Sequence, residues 1–68
     1  MSALITHYKP KPGQTYLTDI ETETAKVRVT RFEGGEVRLS ISGNIRQLQV
    51  TLDVCEAAAL RALLTEAT

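Results

Sequence analysis

From Ala25 to Leu52 apolar and polar residues alternate through three short segments, and Asp53 then opens a run of strong helix formers. A period of two places every second side chain on one side of a strand, so such segments are satisfied when one face is buried and the other meets water. Val27 and Val29 form one apolar set, Val37, Leu39 and Ile41 a second, and Leu48, Val50 and Leu52 a third. All three must line one core face. The expected fold class is α+β: a small antiparallel β-meander of three to four strands, with a single C-terminal α-helix packed on one face.

The turns follow from the same requirement. A two-residue loop at Gly34-Gly35 would set Val29 opposite Ser40 and join a greasy face to a polar one. A three-residue loop, Glu33-Gly34-Gly35, sets Val29 opposite Leu39 and Val27 opposite Ile41, with a glycine for the positive-φ position that closes such a loop. For the next connection Gly43-Asn44 is expected as a two-residue loop, placing Leu39 opposite Leu48 and Val37 opposite Val50.

Upstream, Tyr16 to Thr22 has strand-forming composition. A turn near Glu23-Thr24 would set Ile20 against Val27 on the buried side, with Asp19 against Arg28 and Glu21 against Lys26 as exposed opposite-charge pairs. One long bent strand from Tyr16 to Phe32 is the alternative. Leu4 and Ile5 are candidates for a fifth, short N-terminal strand. Residues 7–14, with Pro10, Pro12 and Gly13, read as a flexible proline-containing connector, because proline lacks the backbone donor that a ladder needs.

Asp53 is a good helix N-cap, and Glu56 stands three residues on, where a carboxylate reaches back to the cap's amide. Ala57, Leu60, Leu63, Leu64 and Ala67 form a stripe expected to lie against the sheet. Cys55, Ala58, Ala59 and Ala62 form a second, smooth strip and are the candidate dimer contact. Size supports association: a chain of 68 residues buries about 60 % of its unfolded surface, which is marginal for a monomer. One cysteine excludes an intrachain disulfide, and one cysteine with one histidine cannot complete a four-ligand zinc site in a monomer. A homodimer is therefore expected, and the whole of residues 1–68 is read as a single domain.

Several classes drop out by composition. No apolar stretch approaches the ~20 residues of a membrane span, and the start lacks the basic-then-apolar layout of a secretion signal. A lone thiol suits a reducing, cytoplasmic setting. Glu33-Gly34-Gly35-Glu36 lacks the lysine and following helix of a phosphate loop. Cys55 is flanked by Asp53 and Glu56, which oppose thiolate formation, and is expected to be a buried or half-buried structural residue. The reading is non-enzymatic, with no cofactor and no metal.

The outward sheet face is the candidate binding surface: Lys26, Arg28, Phe32, Arg38, Arg46, Gln47 and Gln49. Arginine, glutamine and an aromatic on an exposed sheet suit backbone contact and stacking with nucleic acid. The balance of 8 basic and 8 acidic residues, a formal net charge of zero, argues the other way, since phosphate neutralisation supplies most of such affinity.

The order Val27-Arg28-Val29-Thr30-Arg31-Phe32-Glu33-Gly34-Gly35-Glu36-Val37-Arg38-Leu39, followed by Val50-Thr51-Leu52 running straight into a helix, is similar to that of the transcriptional positive coactivators. It covers about half the chain, and it implies single-stranded DNA binding by a dimer. The chain departs from that family in two places: a tight turn at Gly43-Asn44 replaces a longer basic insertion, and the helix lacks an aromatic. Two functional expectations result. The first is a protein-interaction module with a protein partner of unknown identity, such as an accessory or inhibitor protein from a phage or other mobile element, acting by occupying the partner's surface. The alternative is a dimeric binder of single-stranded DNA or RNA that uses the basic outer face.

Overall fold

The computed structural model of the chain describes residues 2–68. Strands β1 (Leu4–His7), β2 (Gln14–Glu21), β3 (Ala25–Phe32), β4 (Val37–Gly43) and β5 (Gln47–Leu52) are followed by helix α1 (Val54–Ala67). The strands form one antiparallel sheet whose spatial order is the chain order. The α+β meander with a C-terminal helix is thus present, and the short N-terminal strand is a full member, pairing Ile5 with Ile20 and His7 with Thr18.

Each hairpin reports on its own turn chemistry. Thr22 closes the first loop by donating its amide to the Ala25 carbonyl and accepting from the Ala25 amide through its hydroxyl, at 2.9 and 3.2 Å. That loop sets Ile20 opposite Val27, Asp19 opposite Arg28 and Glu21 opposite Lys26, so β2 and β3 are two strands and not one bent one. At Glu33-Gly34-Gly35 the Gly35 amide returns to the Phe32 carbonyl at 2.9 Å, with Gly35 at φ +94. Val29 then faces Leu39 and Val27 faces Ile41, the register that burial demanded.

The third loop corrects the expectation. Gly43 pairs with Arg46, and the two loop residues are Asn44 and Ile45 instead of Gly43 and Asn44. Leu39 faces Val50, Ile41 faces Leu48 and Val37 faces Leu52. A shift of two residues preserves which face each side chain occupies, so alternation alone does not distinguish the two registers. Pair counting does. The observed register matches all three apolar residues of β4 with all three of β5, whereas the expected one would set Ile41 against Arg46 and leave Leu52 unmatched.

Strand boundaries also narrow the connector. His7 ends β1 and Gln14 begins β2, leaving residues 8–13 between them. These are tied back by the Tyr8 amide to the Leu17 carbonyl and by the Glu33 amide to the Gly13 carbonyl, at 2.9 and 3.0 Å.

Helix α1 starts as anticipated. The Glu56 amide donates to Asp53 Oδ1 at 2.8 Å and the Asp53 amide donates to Glu56 Oε1 at 3.1 Å, which completes the capping box. Its packing on the sheet is only partial. The close approach is to β5, Ala57 and Leu60 are half-buried, and none of the helix residues is buried. Leu63 and Leu64, expected to lie against the sheet, remain 61 % and 57 % exposed. The reason is dimensional. Five strands at about 4.8 Å spacing are roughly 19 Å across, and one helix with its side chains is about 10 Å wide. Two apolar grooves are left open, and Leu39 and Leu60 border both of them.

Candidate binding face

Cross-strand pairing builds the polar face in rows. Glu21, Lys26, Ser42 and Gln47 form one, Thr6, Asp19, Arg28, Ser40 and Gln49 the next, and Leu17, Thr30, Arg38 and Thr51 a third. The corrected β4–β5 register therefore places Gln49 on the Arg28 row and Thr51 on the Arg38 row. Arg46 leaves this set: it borders a groove with Ile41, Ile45 and Leu48, on the apolar side.

Asp19 organises the centre. It is 2 % exposed, so the expectation of an exposed charge pair is corrected. Its Oδ1 accepts from Arg28 Nε at 2.8 Å and its Oδ2 from Arg28 Nη2 at 3.1 Å, with Lys26 Nζ 3.5 Å from Oδ2. The bidentate hydrogen bonds from Arg28 hold the Asp19 carboxyl below its ordinary range against the opposing effect of burial, and Asp19 in turn holds Arg28 more firmly protonated. Arg28 and Lys26 are themselves about half-exposed, so their outer N–H groups stay available.

Long side chains cover part of this face. The Arg28 guanidinium carbon lies 5.7 Å from the Tyr8 ring centre, and that of Arg38 lies 4.9 Å from the Phe32 ring centre. Leu17 and Thr30 are buried on the same side. Arg38 Nε is enclosed and has no acceptor among the described residues. Beside this cover, Lys26, Arg28, Ser40, Ser42 and Gln47 line a shallow polar depression of about 230 Å³.

The chemistry on offer is hydrogen-bond donation from fixed cations, flanked by hydroxyls and an amide. His7 is engaged elsewhere, with Nδ1 2.9 Å from Thr18 Oγ1 and its ring edge-on to Tyr16. Cys55 is exposed and free, which corrects its expected burial. The alanine strip does not stay together: Ala59 borders the apolar groove, while Ala58 and Ala62 face the other way with Arg61 and Glu66. No group of three or more potential metal-ligating side chains occurs among the described residues. None of their helices is long and apolar enough to cross a membrane.

No family model, curated protein or solved structure matches the chain. Sequence reasoning placed Lys26, Arg28 and Gln47 on one face and set Asp19 against Arg28, but missed that Asp19 is buried and holds the two cations. The alignment of Asp19 with Arg28 was the available signal.

Proposed function

We propose that the chain is a non-enzymatic interaction module that binds a protein partner through the polar face of its sheet. The observation that carries this reading is the Asp19–Arg28 pair: a buried carboxylate fixes an arginine beside Lys26, Ser40, Ser42 and Gln47 before any partner arrives. Donors already held in place lose less freedom on binding, and a guanidinium fork matches a carboxylate on an opposing surface. Charge balance suits a protein partner better than a polyanion, since Asp19 and Glu21 sit within the rows that hold the cations.

The test is capture with tagged chain from cells that contain the partner, compared with Lys26→Ala/Arg28→Ala. Retention of a defined protein by the wild type, unaffected by nuclease and lost in the double variant, is expected. Retention that survives the double variant would remove the face from the interaction.

A second reading rests on a different observation. Arg38 stacked over Phe32, with Nε unpaired, is a platform on which a base of single-stranded DNA or RNA could lie. On that reading oligonucleotide affinity falls steeply with added salt, and Phe32→Ala weakens it by about 1–3 kcal/mol. Absence of oligonucleotide binding at low salt ends it.

A further inference from the structure

We propose that the apolar side of the sheet, together with α1, is a homodimer interface closed by the same surface of a second copy of this chain. This goes beyond the reading of the polar face and stands independently of it.

The first argument is area. The chain exposes 5540 Å², whereas a folded monomer of its 7.5 kDa mass exposes about 4,200 Å². The excess of about 1,300 Å² per chain amounts to about 2,600 Å² for a pair, inside the range of permanent homodimers, which starts near 2,000 Å². Much of the exposed apolar surface is on one side. Leu48 is 57 % exposed, Ile41 and Val50 are exposed beside it, and Leu63 and Leu64 stand free on the helix. The polar side, by contrast, contains the buried Leu17, Asp19 and Thr30.

The second argument is shape. The helix forms a ridge, and on each side of it runs an apolar groove, one of about 430 Å³ beside Ile41, Leu48 and Val50, the other of about 390 Å³ beside Val29 and Val37. A surface that carries both ridge and groove can meet itself across a two-fold axis, with Leu63 of each copy seated in the groove of the other. Charge does not oppose this, because a formal net charge of zero gives two copies no overall repulsion. The third argument is the helix itself. Fourteen residues are marginal as an isolated helix in water, and most of the stability of such a helix comes from packing, which one chain supplies chiefly at Ala57 and Leu60.

Sedimentation of the full chain tests the proposal. The wild type is expected at twice the 7.5 kDa chain mass, with a thermal midpoint that rises with chain concentration. Leu48→Glu and Leu63→Glu should each shift the sedimenting species to monomer, while Ala58→Glu, on the far side of the helix, should leave the dimer intact. Hydroxyl-radical oxidation needs no variant: Leu48 and Leu63 should become protected between dilute and concentrated wild type. A wild type that sediments as a monomer throughout, as it would if an unrelated protein covers this face, overturns the proposal. So does a dimer that both leucine variants leave intact, or one in which Leu48 and Leu63 gain no protection.

Discussion

Asp19 shows how a single residue couples local pairing to global stability. Its carboxylate is buried, but its cationic partners are half-exposed and screened, so replacing it by asparagine is expected to cost about 1–2 kcal/mol, between the values for surface and buried pairs. The pH dependence has a definite sign. A carboxylate whose folded value is depressed stabilises the fold above its unfolded value near 3.9, and that contribution disappears as pH falls through the lower folded value. In urea titrations, the gap between wild type and Asp19→Asn should be constant above about pH 5 and should shrink below about pH 4. A gap independent of pH would mean that the ionised pair is not the source. The charge alignment of Asp19 with Arg28 was readable from the sequence, because cross-strand register follows from the apolar pattern. Its burial was not, because it depends on how the long side chains of Lys26 and Arg28 reach to its carboxylate, and no period encodes that.

At the scale of elements, the two glycine turns should respond differently to alanine. Gly35 sits at φ +94, and an added Cβ would lie 2.7 Å from Val54 Cγ2, joining backbone strain to a clash with the first turn of α1. Gly35→Ala is expected to destabilise by about 1–3 kcal/mol. Gly43 is not in the left-handed region, and its Cβ would meet backbone oxygens only at ordinary contact, 3.8 and 3.9 Å. Gly43→Ala should therefore change stability by no more than about 0.5 kcal/mol, and chemical denaturation of both variants checks the contrast. Asp53→Ala removes the capping box and should cost about 1 kcal/mol, with reduced helical circular dichroism. The same comparison explains what was legible. A slip of one residue would move apolar side chains to the wrong face, so the β3–β4 turn was readable from Val29 and Leu39. A slip of two hides from that criterion, and only the count of matched pairs between β4 and β5 exposes it.

For the molecule as a whole, the length of the chain already signalled that one copy buries too little, but it could not say where the deficit lies. The helix stripe of Ala57, Leu60, Leu63 and Leu64 suggested full cover, since periodicity describes a face and carries no information about the width of what it must span. The alanine strip offered another contact, which the structure divides between two sides of α1. A physical signature of the open face should be visible in solution. Dilute chain, or chain carrying Leu48→Glu, is expected to enhance the fluorescence of an apolar-surface dye, and concentrated wild type should not. Equal enhancement at all concentrations would indicate that the face stays uncovered.

The order of the strands has a temporal consequence. Because β1 to β5 are neighbours both in the chain and in the sheet, each hairpin can close as soon as its second strand leaves the ribosome, without waiting for a distant segment. The helix follows the sheet in the chain, so the nascent sheet displays its greasy side until α1 has emerged, and, if the proposed dimer forms, until a second copy arrives. Synthesis on polysomes, where sister chains emerge close together, would shorten that second wait, and the rate of translation would set how long proteases and chaperones have access to the unpartnered chain.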